Sequence, residues 1–152
     1  MKLKVGDKAP DFKARDQNGN LVTLKDFKGQ RVALYFYPKD DTPTCTVQAC
    51  NLRDNFAALG AHGITVLGVS VDEEKKHKKF ETKYSLPFTL IADTDKKIVE
   101  DYGVWGEKQF MGKTIIGTHR TTFLIDEKGK IVHIIDKVKS KIHSEQILEF
   151  WG

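Results

Sequence analysis

Two cysteines five positions apart sit in the stretch Pro38-Lys-Asp-Asp-Thr42-Pro43-Thr44-Cys45-Thr-Val-Gln-Ala-Cys50, between an apolar run and a segment of helical periodicity. Thr42 suits the N-cap of a helix, and Pro43 suits its first position, where a missing N–H costs nothing. Cys45 is then the third helical residue, inside the turn of unpaired N–H groups and at the positive end of the macrodipole. A thiol reacts as its thiolate, and a helix N-terminus lowers a cysteine pKa from about 8.5 into the range of roughly 3.5–7.5. Most free cysteines are simply buried small hydrophobes. Here cap, proline and preceding strand agree on a nucleophile at Cys45.

Cys50 adds a second thiol on the same helix. Five helical steps rotate by about 140° and rise about 7.5 Å, which separates the Cα atoms by about 8.7 Å. A disulfide needs roughly 4.4–6.8 Å. The pair cannot bond on an intact helix, and unwinding the first turn would bring it together. Two states are expected, a helical dithiol and a locally unwound disulfide; two independent thiols are the alternative. A shared metal site is not expected, because the sulfurs point in different directions and no His lies near in sequence.

The elements around this junction follow from patterning. Val32-Ala-Leu-Tyr-Phe-Tyr37 reads as a strand covered on both faces. Residues 43–59 read as a helix, with Cys45, Ala49, Leu52, Phe56 and Leu59 on one stripe and Gly60 just beyond its end. Ile64–Val71 is a second buried strand, so a right-handed parallel crossover is expected. Upstream, 11–15 and 20–24 alternate around the turn 16–20 and form a hairpin. Downstream come a helix over 73–84 with Asp72 as cap, an extended segment 88–92, and a helix over 95–102 capped by Asp93. Residues 103–117 read as a Gly-rich loop pinned by Trp105, Phe110 and Met111. A hairpin over 121–125 and 130–135 follows, then a final helix from Ser144 to Trp151.

These residues resemble the peroxiredoxins. Pro38, Thr42 and Cys45 match the active-site motif, and a cysteine five residues on is similar to the bacterioferritin comigratory protein, or Q-type, subfamily. The resemblance also covers Val5-Gly-Asp-Lys-Ala-Pro-Asp-Phe12, Tyr37-Pro38 and Gly117-Thr-His-Arg-Thr-Thr-Phe-Leu-Ile-Asp126, and so nearly the whole chain. Two positions depart from the common pattern: Thr44 stands where many members have Gly, and Gln48 where many have Glu. The order of elements is the thioredoxin-like one, an α/β fold with a central mixed sheet, flanking helices and an added N-terminal hairpin.

The resemblance implies a thiol-dependent peroxidase of the atypical two-cysteine kind. Cys45 would attack hydrogen peroxide or an alkyl hydroperoxide and become a sulfenic acid. Cys50 would resolve it as an intramolecular Cys45–Cys50 disulfide, and a thioredoxin-type protein would reduce that. Thr42 would orient thiolate and peroxide through its hydroxyl. Arg120, immediately before an apolar strand expected beside the loop, would stabilise charge. Pro38 would shape and dry the pocket. No cofactor and no metal is implied, and a monomer or weak dimer is expected. Rival readings are a copper chaperone of the same fold, whose cysteines have a three-residue gap, and a redox-regulated binding protein without turnover.

Composition bounds the rest. The 152 residues suit one domain, 1–152, and two cysteines cannot staple a secreted scaffold, so a cytoplasmic setting is expected. No apolar leader and no membrane-length run is visible. The net charge is +4. Its densest cluster, Lys75-Lys76-His77-Lys78-Lys79, follows Asp72-Glu73-Glu74 and reads as a solvated helix face, not a nucleic-acid surface. The five histidines form no ligand spacing with the cysteines; His119 is a weak candidate for tuning the pocket.

Overall fold

The computed structural model describes residues 3–152. An N-terminal hairpin pairs β1 (Lys13–Asp16) with β2 (Leu21–Thr23). Then come β3 (Arg31–Phe36), α1 (Pro43–Asp54), α2 (Phe56–Ala61), β4 (Ile64–Ser70), α3 (Glu74–Tyr84), β5 (Thr89–Ala92) and α4 (Lys97–Asp101). The chain closes with β6 (Trp105–Phe110), β7 (Lys113–Thr118), β8 (Thr121–Ile125), β9 (Ile131–Ile135) and α5 (His143–Trp151). Seven strands form one sheet in the order β2-β1-β5-β4-β3-β8-β9. β3, β4 and β5 run parallel, while β8 joins β3 antiparallel, as a βαβ unit followed by a hairpin requires.

β3 is apolar on every position after Arg31 because both its faces are covered. Leu34 and Phe36 point into one core with Val69, Ile91, Tyr102 and Phe123. Ala33, Tyr35 and Tyr37 point into the other with Cys45, Ala49, Leu52, Phe80 and Ile147. Helices α1, α3 and α5 close that second face, and fully burying a side chain such as Leu52 contributes about 1.5–3 kcal/mol. The sheet permits the tyrosines because β4 carries Gly68. A Cβ there would lie 2.9 Å from Tyr35 Cε1 and 3.0 Å from Leu90 Cδ2.

Several expectations are corrected. The helix over 43–59 breaks at Asn55, whose side chain and N–H both turn back to the Asn51 carbonyl. The break resets the helical phase, so Leu59 stays buried and Phe56, expected on the core stripe, is 38% exposed. Gly60 lies inside α2, and the left-handed residue after it is Gly63, with φ +70°. Glu73, not Asp72, caps α3, because the Asp72 carboxylate is taken by Ser70 and the Asp40 N–H. The helix expected over 95–102 is shorter, and Asp93 reaches forward to the Ile98 and Val99 N–H groups. The final helix starts at His143, so Ser144 lies within it, donating its N–H to Asn51 Oδ1.

The largest difference is at 103–117. The expected loop is a separate two-stranded sheet, β6–β7, turning at Met111-Gly112 with φ of +51° and +77°. Trp105 packs on the core and carries Lys96 Nζ over its ring at 5.1 Å. Phe110, Met111, Ile115 and Ile116 instead face outward, with Met111 87% exposed, so they do not pin the segment.

Candidate active site

The strand register assembles the site. β3 pairs Phe36 with Thr121 of β8, and continuing that ladder puts Arg120 beside Tyr37 and the loop that follows. Thr42 is the extended N-cap of α1 at φ −89° and ψ 156°, and its carbonyl accepts the Thr46 N–H at 2.9 Å. Pro43 opens the helix. Cys45 is the third helical residue, 2% exposed. Its N–H is among the first-turn donors that no helical carbonyl can reach.

Arg120 is half-buried and bifurcates. One guanidinium nitrogen, Nη1, donates to Cys45 Sγ at 3.4 Å and to Gln48 Oε1 at 2.8 Å. Cys45 and Gln48 lie three residues apart on one face of α1, so a single guanidinium can serve both. Gln48 thus fills the place of the commoner carboxylate as a neutral acceptor. Its Nε2 and the Tyr35 hydroxyl are buried without a hydrogen-bond partner among the described residues. Burial first, and the nearby Cys45 sulfur second, push the Tyr35 phenol well above its ordinary pKa.

The other expected residues sit close in the chain but play different local parts. The Thr42 hydroxyl donates to the Lys39 carbonyl at 2.9 Å, so its hydrogen is committed upstream and only its lone pairs are left to accept. Pro38 is half-buried between Tyr37 and the loop. Cys50 is half-buried and free on the same unbroken helix as Cys45, also free. His119 is exposed, and His133 stacks on Phe150 at 4.9 Å.

Two neighbours were not expected from the sequence. Lys108 of β6 donates to the Thr118 carbonyl at 3.0 Å. Burial first, and Arg120's charge second, pull its ammonium below its usual pKa. His77, placed on a solvated face, is 0% exposed and bonds Asp40. Only its four lysine neighbours face solvent. His77, Asp40 and Asp72 are the one group of three potential metal ligands among the described residues, and neither cysteine belongs to it.

A thiol at a helix N-terminus, paired with a guanidinium on a thioredoxin-like sheet, defines the class of thioredoxin-fold thiol peroxidases. The sequence pattern of the AhpC/TSA family matches residues 5–134. The chain is 53% identical to Peroxiredoxin Bcp of Escherichia coli strain K12 over 148 residues, 97% of this chain and 95% of that one. A crystal structure of a cysteine variant of Xylella fastidiosa PrxQ superposes with a TM-score of 0.91 at 30% identity, covering 99% and 96% of the two chains. A structure reported with insights into the alkyl peroxide reduction activity of Xanthomonas campestris bacterioferritin comigratory protein gives 0.86 at 31% identity, over 92% and 89%. The chain belongs to the AhpC/TSA family, in its bacterioferritin comigratory protein, or Q-type peroxiredoxin, branch. It is a thiol-dependent peroxidase of thioredoxin-like fold.

Proposed function

We propose that Cys45 is the peroxidatic nucleophile and Cys50 its resolving partner. The observation that carries this is the Arg120 guanidinium 3.4 Å from a sulfur in the first turn of α1, with a second free thiol on the same helix. The Cys45 thiolate attacks one oxygen of hydrogen peroxide or an alkyl hydroperoxide. The O–O bond breaks, an S–O bond forms, and the departing oxygen leaves as water or alcohol after taking a proton. Arg120 and first-turn N–H groups offer donors to the charge that moves onto oxygen. The Thr42 oxygen accepts from the peroxide, and Pro38 keeps bulk water off the sulfur. The first turns of α1 then unwind. Cys50 attacks the sulfenic sulfur, the S–O bond breaks with loss of water, and the Cys45–Cys50 disulfide forms. A thioredoxin-type dithiol reduces it and is itself oxidised.

One protomer thus carries a complete set of reacting groups, in a single domain over 1–152 that works as a monomer or weak dimer. Two free thiols suit the reducing cytoplasm. No helix among the described residues is long and apolar enough to cross a membrane. The test is a stoichiometric dose of peroxide on reduced protein, followed by peptide mass spectrometry and a coupled thioredoxin assay. An intrachain 45–50 crosslink and multiple turnovers are expected. Cys45→Ser abolishes peroxide consumption, and Cys50→Ser leaves one oxidation with poor recycling. Normal recycling of Cys50→Ser with thioredoxin would overturn the resolving role.

A further inference from the structure

Between β3 and α1 the loop is tied by side-chain bonds from Asp40 and Asp41 to α3 and its approach. Asp40 is buried, and both its carboxylate oxygens and its N–H are engaged. Its Oδ1 accepts from the Tyr37 hydroxyl at 2.5 Å, its Oδ2 meets His77 Nδ1 at 2.6 Å, and its N–H donates to Asp72 Oδ2 at 2.8 Å. His77 Nε2 lies 2.9 Å from the Ile91 carbonyl. A carbonyl only accepts, so Nε2 carries a hydrogen. A 2.6 Å contact between Nδ1 and a carboxylate oxygen then needs a second hydrogen on that line. A metal ion between the two atoms would hold them farther apart, since each bond to it would be about 2.0–2.2 Å long. The pair is thus a proton-bridged tie between the loop and the underside of α3 and β5. Next to it Asp41, at φ +58°, accepts from Lys83 Nζ and the Tyr84 hydroxyl, both at 2.8 Å, on the same helix.

The other side of the thiols is tied as well. Asn51, one residue after Cys50, accepts the Ser144 N–H at 2.7 Å and donates to the Lys141 carbonyl at 3.0 Å. Leu52 behind it is fully buried. With Thr42 also bonded back to the Lys39 carbonyl, the segment between the two sets of ties is 43–50, which starts at the first helical residue and ends on the second thiol.

We propose that the Asp40–His77 pair and Asn51 are positioning residues that hold both ends of 43–50 fixed while its helical turns open and close. This rests on the reading that Cys45 and Cys50 join. Fixed ends confine the rearrangement to a short stretch. They also keep the cost of rewinding small, because the chain ends are already at closing distance. On rewinding, the Cys45 sulfur returns to Arg120 without searching.

Deuterium exchange on the wild-type protein, compared between its dithiol and disulfide forms, tests this without any substitution. Protection is expected to fall over 44–54, since the N–H groups of 51–54 donate to the carbonyls of 47–50, and to stay unchanged over 36–41 and 55–59. Asp40→Leu and His77→Leu are expected to lose protection over 36–42 and to slow oxidation of Cys45 by peroxide about tenfold or more. Asp40→Asn should retain the wild-type behaviour, since its amide N–H can donate to His77 Nδ1. Asn51→Ala should spread the exchange past residue 54 and to the start of α5. Exchange reaching 36–41 or 55–59 in the oxidised wild-type protein overturns the inference, as do Leu variants that react like the wild type. A wild-type protein that forms no 45–50 crosslink overturns the function reading and this one together, whereas a crosslink with spread exchange overturns this one alone.

Discussion

At Arg120 one nitrogen serves two acceptors of different kinds, a sulfur and an amide oxygen. Removing it withdraws a charge-assisted bond, worth about 1.5–3 kcal/mol, and leaves Gln48 with both ends of its buried amide unpaired. Arg120→Gln is expected to slow the second-order reaction of Cys45 with peroxide by roughly ten- to hundredfold at unchanged fold, since each 1.4 kcal/mol is about a factor of ten. Arg120→Lys recovers only part of this, because a strongly hydrated ammonium is costlier to hold half-buried beside the sulfur than a guanidinium. Stopped-flow oxidation under single turnover reads both. The residues of this site were legible to different degrees. Cys45, Thr42 and Arg120 stand in contiguous motifs, and Gln48 falls one turn from the thiol by simple helical spacing. His77 was hidden inside a basic run whose lysines do face solvent. Its burial depends on which side of α3 meets β5, a tertiary fact that five consecutive polar residues do not carry. Tyr35 was legible as a core residue of β3, but its place beneath the sulfur depends on the angle at which α1 crosses the sheet.

Among the elements, the parallel core and the terminal hairpin followed from continuous apolar runs and turn residues. The β6–β7 hairpin did not. Its strands carry Glu107, Lys108 and Gln109 in succession, so no alternation marks a buried face, and Met111 occupies a left-handed turn position where Asn or Gly would have given the signal. The break at Asn55 was masked likewise by apolar spacing that runs through it. The sheet beneath the thiol makes its own prediction. Gly68→Ala puts a methyl group 2.9 Å from the Tyr35 ring and 3.0 Å from Leu90. Tyr35 and Leu90 are both fully buried there, so relief must come from moving β4 or tilting Tyr35 toward α1. The substitution should destabilise the fold by about 1–3 kcal/mol, read as a lower midpoint in urea with an unchanged slope.

Across the molecule, α5 closes the face that holds the thiols, and His143 is its buried link to the sheet. Its Nε2 meets the Thr122 hydroxyl at 2.8 Å and its Nδ1 the Gln146 amide oxygen at 3.0 Å. Burial lowers its pKa from 6.5 to about 4. The folded protein therefore binds this proton less readily than the unfolded chain does. Stability from this group is full above pH 6.5, falls as the pH drops toward about 4, and levels off below that. The span corresponds to roughly 3 kcal/mol. Urea unfolding between these two pH values should show the loss, and His143→Gln should flatten it while lowering the stability at neutral pH.

The inward thiol and the half-buried one share a helix that cannot bridge them while it is intact. Under the proposed cycle, an oxidised molecule has neither a free nucleophile nor a formed cradle for substrate. It is deaf to any further oxidant until electrons arrive. A surge of hydroperoxide then parks the population in a sheltered resting form, and the throughput of the pool follows the supply of reducing equivalents.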